Sequence, residues 1–387
     1  MQILKWLGGL LLVLAAGGTG FVIFLLLTAP DPASIEGPTE GWFLAESMPS
    51  PRGELATAVA HASPCQDPPC PELERLHVVG GLRGFLHVLD LVHVYDPVQG
   101  GWSDGPPLPR PRHHLAAAGL GEAVYVSGGA EGVGRPWTPE SDLWRLELGR
   151  DAWESLEAMP EPRWGHRMVA HDGRLFVVGG EGPSSSILIY TPGSGWTTGA
   201  EMPEPRDHLS VVVAADRIWA VGGRVPESLA RVDIYGPAAD EWQPGPELPV
   251  ATSGAAEGVV DGVVFISGGE EMQLLRGGIV DEHWALDTGA PSPGWEPVAP
   301  PPIPVHGADG AIFQGTFVIA GGASRHGALS VTAWSDAFQW MDPRNSSRAR
   351  FTPRGSSCWS QWVALGKAMS RPSSHRSRLS EASSFDR

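Results

Sequence analysis

Six Gly-Gly pairs punctuate the chain: Gly80-Gly81, Gly128-Gly129, Gly179-Gly180, Gly222-Gly223, Gly268-Gly269 and Gly321-Gly322. The intervals are 48, 51, 43, 46 and 53 residues. Each pair closes a short apolar run, such as Val124-Tyr125-Val126 or Phe176-Val177-Val178. Strand-like segments recurring at a near-constant period predict a repeat architecture in which each repeat buries its apolar faces against its neighbours.

The remainder of each repeat keeps a fixed order. An aromatic and a turn follow the diglycine, as in Val94-Tyr95-Asp96-Pro97 and Ile234-Tyr235-Gly236-Pro237. A single tryptophan comes next: Trp102, Trp153, Trp196, Trp242 and Trp295. An apolar-Pro step, such as Met159-Pro160 or Leu248-Pro249, then leads onward. Proline lacks a donor and fits where a strand ladder ends, so each repeat is expected to hold four short strands. The once-per-repeat tryptophans are expected to be core, packed on the aromatic of the preceding strand. In its diglycines, Tyr-Asp-Pro-like turns and downstream tryptophans, the chain resembles the kelch family over residues 42–343. That resemblance implies an all-β, six-bladed kelch β-propeller.

Ring closure is predicted from the N-terminus. The sixth diglycine has its aromatic turn at Trp340–Pro343 but no tryptophan strand after it. Residues 41–49 (GWFLAESMP) look like residues 151–160 (DAWESLEAMP). The strand at Trp42 is therefore expected to complete blade six and remove a free sheet edge.

Outside the repeats, Trp6–Leu27 holds 22 residues without a charge. A bilayer core takes roughly 20 apolar residues, so residues 1–28 read as a transmembrane signal-anchor. A cleaved signal peptide is the alternative. Lys5 precedes the run and Asp31 follows it, which places the N-terminus in the cytoplasm and the propeller outside it, periplasmic or extracellular. Residues 29–41 read as a linker. Cys65 and Cys70, in the Pro-rich hairpin insert of blade one, suit a local disulfide in an oxidising compartment; two free thiols are the alternative. Residues 344–387 carry 9 basic and 2 acidic side chains and read as a basic, Ser/Arg-rich disordered tail. Residues 42–343 carry 17 basic and 39 acidic side chains, which argues against nucleic acid as a partner.

Candidate ligand residues come from one register. Sixteen residues before each diglycine, with the blade-one insert allowed for, lie Arg52, Arg112, Arg163, Arg206, Thr252 and Val305. These positions fall where one blade crosses to the next, on the face that kelch proteins commonly use for ligands. The four arginines, with His113, His166, His208, His306 and Trp164 beside them, are expected to form a ligand-binding rim for an anionic group. The alternative is that the arginines serve as struts between strands. His114 shares the register. The histidines show no metal-ligand spacing, so no metal and no cofactor are assigned.

The resulting expectation is a membrane-anchored, extracytoplasmic kelch binding protein that recognises a protein, or a small acidic or glycan ligand. Exported kelch propellers also include sialic-acid mutarotases, for which Glu131, Glu181 and Glu270 are the acid/base candidates. Copper-radical oxidases are disfavoured, because the cysteines fall in a hairpin tip and the tail while the tyrosines fall on strands. No catalytic residue is assigned.

Overall fold

The computed structural model describes residues 41–62, 73–84, 87–133, 136–273, 276–325, 335 and 337–341. The expected transmembrane segment, the linker, Cys65, Cys70 and the basic tail lie outside the described residues. Among the described residues no helix is long and apolar enough to cross a membrane.

Six four-stranded antiparallel sheets follow one another along the chain. Blade I contains Ala56–Ala62, Leu73–Val79, Val92–Asp96 and Gly101–Asp104. Blade II contains Ala116–Leu120, Ala123–Ser127, Leu143–Glu147 and Glu154–Ser155. Blade III contains Arg167–His171, Arg174–Val178, Ser186–Thr191 and Gly195–Glu201. Blade IV contains Ser210–Ala214, Arg217–Val221, Val232–Gly236 and Glu241–Pro244. Blade V contains Ala256–Val260, Val263–Ser267, His283–Asp287 and Glu296–Val298. Blade VI contains Asp309–Phe313, Thr316–Ala320 and Phe338–Met341, and takes its outer strand, Trp42–Leu44, from the N-terminal end. Trp42 lies opposite Met341 and Leu44 opposite Gln339. The innermost strands touch in cyclic order, blade VI returning to blade I.

Apolar cores fill the spaces between neighbouring blades. Leu115, Val124 and Trp144 of blade II meet Ala56, Val79 and Val92 of blade I. Phe176 and Ile189 of blade III meet Val211, Ile218 and Tyr235 of blade IV. Between blades V and VI the filling is aromatic: Phe265, His283 and Phe317 stack, and Trp42 meets His283 and Phe317 edge-on.

The repeated tryptophans do a second job. Each outer-strand indole donates its Nε1 hydrogen to a carbonyl of the preceding blade: Trp102 to Glu46, Trp153 to Pro106, Trp196 to Glu157, Trp242 to Ala200 and Trp295 to Pro246, at 2.8–3.2 Å. Trp42 does the same to Ala299 at 2.8 Å, completing the series. These residues are therefore inter-blade staples as well as partly buried core. That explains a tryptophan in preference to a phenylalanine, because the indole supplies a donor at the far edge of its apolar face.

The diglycines are the inner counterpart. In every blade the second glycine N–H donates to the carbonyl at the crossover register of the next blade, for example Gly129 to Arg163 and Gly322 to Arg52, both 2.9 Å. Both glycines sit at positive φ. A Cβ on Gly128 would stand 2.5 Å from the Arg163 carbonyl oxygen. The pair is therefore required by left-handed backbone and by the closeness of the next blade.

Candidate functional site

Two residues beyond each crossover register position lies a residue with left-handed backbone: Glu54, His114, Gly165, His208, Gly254 and Gly307, with φ between 52° and 66°. Their backbones form a closed ring around the channel. Each N–H donates to the carbonyl of the equivalent residue one blade earlier: His114 to Glu54, Gly165 to His114, His208 to Gly165, Gly254 to His208, Gly307 to Gly254 and Glu54 to Gly307, at 2.7–3.0 Å. Glycine takes this backbone freely, whereas other residues pay about 1–3 kcal/mol each. The three non-glycine members are Glu54, His114 and His208. Backbone strain concentrates where the ring carries chemistry.

Those three side chains converge. His114 Nε2 lies 3.2 Å from Glu54 Oε2, and His208 Nε2 lies 3.8 Å from the same oxygen. One donor atom from each of the three falls within 4.8 Å of the others. A small pocket of about 20 Å³ lies at the ring, with His166, Arg167, Leu55 and Leu115 also in its wall.

Hydrogen bonds fix the imidazole tautomers. His208 donates Nδ1–H to the Asp207 carboxylate in a short contact. Its Nε2 accepts from Arg224 Nη2 at 2.9 Å. Arg224 is held in turn by Asp207 at 3.0 Å and Glu270 at 2.7 Å. His113 donates Nε2–H to the Gly132 carbonyl at 2.9 Å. Burial holds His113 neutral, at a pKa lowered to about 4. Its Nδ1 therefore accepts the Nδ1–H of His114 at 2.5 Å. Both His114 and His208 consequently direct Nε2 toward Glu54. Asp207 is held below the usual carboxylate range: burial opposes this, but the neighbouring His208 and Arg224 outweigh it.

Aromatic rings wall one side. Trp137 lies 4.8 Å from His113 and 4.5 Å from His114 between centroids, and Trp164 lies 5.5 Å from His114 and 5.8 Å from His208. Below the ring, Arg167 of blade III reaches across the channel to Glu257 of blade V at 2.9 Å and Asp309 of blade VI at 3.5 Å. Asp309 also accepts the Thr57 N–H of blade I at 2.6 Å. The guanidinium thus links three blades, and Asp309 extends the link to blade I.

Arg52, Arg112, Arg163 and Arg206 occupy equivalent crossover positions, and all four are buried, at most 1% exposed. Arg206 meets Asp233 at 2.8 Å and the carbonyls of Gly222 and Ala220. Arg163 donates to Gly179 and Ser186 carbonyls at 3.1 and 2.6 Å and lies 3.3 Å from Glu161. Arg112 pairs with Glu131 and Asp142 and stacks over Trp144. Arg52 donates to Val78, and among the described residues its Nε and Nη1 have no hydrogen-bond partner. Burial, with Arg83 adding a smaller effect, lowers its pKa to about 10. The four guanidiniums point into their blades, so a ligand reaches them only by displacing these partners. His166 is also buried, 2.9 Å from Ser127 Oγ, and His306 rests on the Arg325 carbonyl at 2.9 Å.

The acid/base candidates are separated. Glu131 is bound to Arg112, Glu181 is exposed, and Glu270 is bound to Arg224. Sequence reasoning missed Glu54, Asp207 and Arg224. The signal available was the ring register itself, where Glu, His and His replace glycine.

The fold and its crossover hydrogen bonding define a six-bladed β-propeller with a polar centre on one face. A family description, "Kelch motif", matches residues 205–249, which is one repeat. Kelch-like protein terF of Aspergillus terreus is 28% identical over 277 residues, covering 66% of this chain and 60% of that protein. Human Kelch-like protein 34 is 37% identical over 128 residues, 32% of this chain and 20% of that protein. Mouse Kelch-like protein 35 is 27% identical over 265 residues, 66% of this chain and 42% of that protein. The chain thus aligns with three fifths or less of the length of these relatives. The solved structure described as "Structure of YjhT" superposes with a TM-score of 0.62 at 14% identity, covering 78% of this chain and 98% of that one. The chain is a six-bladed β-propeller that carries a kelch motif and is similar to kelch-like proteins.

Proposed function

We propose that this protein is a membrane-anchored, extracytoplasmic kelch binding module that engages a protein partner on its crossover face. The observation carrying this reading is the distribution of loops. The diglycine loops of blades I, II and V grow their own two-stranded hairpins, at Leu82–Arg83 with His87–Val88, Ala130–Glu131 with Thr138–Pro139, and Glu270–Gln273 with Arg276–Ile279. Each is tied to a crossover segment: Leu82 to Gly53, Ala130 to His113 and Glu270 to Ser253. They therefore stand on the face that holds Glu54, His114 and His208. Loops on a rigid scaffold are where recognition concentrates. Val133 and Val225 expose apolar surface on this same face.

The test uses the full-length chain in its native membrane, with photo-crosslinkers placed singly at Val133, Trp137 or Val225, and at Asp172 or Asp216 on the opposite face. A discrete partner adduct from the first group and none from the second supports the reading. Equal adducts from both faces refute it.

A further inference from the structure

We infer that Glu54, His114 and His208 form a binding site for a divalent first-row transition ion, with zinc the best-suited member. Each residue comes from a different crossover, and the three meet only because the backbone ring places them at equivalent left-handed positions.

The donor set fits. Two imidazoles and one carboxylate are a recurring set for such ions, and imidazole suits zinc, copper, iron and nickel. Bonds of about 2.0–2.1 Å around a tetrahedral ion place neighbouring donors roughly 3.3–3.5 Å apart. The Glu54–His114 and Glu54–His208 separations are 3.2 and 3.8 Å. Nitrogen and carboxylate donors already stand close to coordination spacing around a common point.

Outer partners fit as well. An imidazole that coordinates through Nε2 needs its proton on Nδ1, held by an acceptor that sets the ring's orientation. His208 has the Asp207 carboxylate in that role. His114 has His113 Nδ1, and His113 is itself fixed by the Gly132 carbonyl. Charge points the same way. Glu54, Asp207 and Glu270 stand at the site against one guanidinium, Arg224. Burying these carboxylates near one another favours a cation among them.

Arg224 is the competitor. Its Nη2 donates to His208 Nε2, the atom that a metal needs. An entering ion has to take that lone pair from the guanidinium, which keeps Asp207 and Glu270 as partners. The geometry thus gives Arg224 the part of a cation that holds the site until a metal displaces it.

The experiment measures Zn²⁺ binding to full-length protein by equilibrium dialysis after chelator treatment, with Co²⁺ absorption as a second readout of nitrogen and oxygen coordination. One Zn²⁺ per chain is expected. Asp207→Asn should weaken binding about 10- to 100-fold. Glu54→Gln and His208→Gln should each abolish stoichiometric binding, while Arg224→Gln tightens it. His87→Gln, on an exposed hairpin, should leave it unchanged. Melting curves show that each variant is folded; Glu54→Gln, nearly isosteric, decides the matter should His208→Gln not fold. No retained zinc in the wild-type chain, or unchanged stoichiometry in folded Glu54→Gln, overturns the assignment. Neither outcome bears on the photo-crosslinking result, so the two readings fail separately.

Discussion

Replacing Trp42 by alanine tests the closure of the ring at its longest sequence separation. Trp42 is 1% exposed, packs edge-on against His283 and Phe317, and donates to the Ala299 carbonyl at 2.8 Å. Truncating a buried tryptophan costs about 3–5 kcal/mol. For a domain of this size each kcal/mol moves the melting temperature by about 2 °C, so the expected drop is about 6–10 °C. Phe43 is the control. It occupies the same strand but points to the other side and is 48% exposed. Its alanine variant should change stability by no more than about 0.5 kcal/mol. Thermal unfolding of both variants, followed by circular dichroism, reads the difference. Equal small shifts would mean that the N-terminal strand is peripheral and that blade VI stands on three strands without it.

Other consequences follow from individual groups. Arg206→Met leaves Asp233 paired with Arg231 but removes the side-chain donor to the buried Gly222 and Ala220 carbonyls, and should cost about 1–3 kcal/mol in urea unfolding; a loss well below about 1 kcal/mol would instead mark the arginine as available to a ligand. Glu257 is pushed up to about 8, chiefly by burial and against the pull of Arg167. A carboxylate whose folded pKa is raised contributes stability fully present below its unfolded value, near 4.5, and lost as pH rises through about 8. Glu257→Gln should therefore flatten the fall in urea midpoint across that window, and an unaltered slope would contradict the assignment. In cell fractionation, the full-length chain should remain in membranes after high-salt washing with its N-terminus intact; a soluble form beginning between Ala29 and Gly41 would show that residues 1–28 are removed.

The architecture was legible because its determinants are local and recur six times. Diglycines, outer tryptophans and apolar-Pro steps each mark one position per blade, and even the N-terminal strand declared itself through Trp42 and Met48-Pro49. The centre was legible only in part. The register placed His113, His114, His166 and His208 near the channel, but it could not say which nitrogen faces which group. The arginines were read as rim residues because sequence gives position and not direction. In the structure Asp233, Asp142 and backbone carbonyls draw the guanidiniums inward. Metal-ligand spacing, the usual sequence signal, is absent because Glu54, His114 and His208 come from three blades, each separated from the next by at least one whole repeat.

A propeller faces a symmetry problem at its axis: six equivalent crossovers present six equivalent side-chain positions to one narrow mouth. This chain fills three of them with glycine and three with groups that carry charge or a lone pair. Gly254 and Gly307 are neighbours, so one side of the mouth is open, and Gly165 separates His114 from His208. A Cβ on Gly307 would stand 2.6 Å from Glu54 Oε1, and one on Gly165 would stand 3.3 Å from the His208 ring. The glycines are thus the space into which Glu54 and His208 reach. Breaking the sixfold repeat at this single register gives an otherwise uniform scaffold one distinct chemical centre. The six backbone hydrogen bonds hold that centre in place whichever side chains occupy the ring.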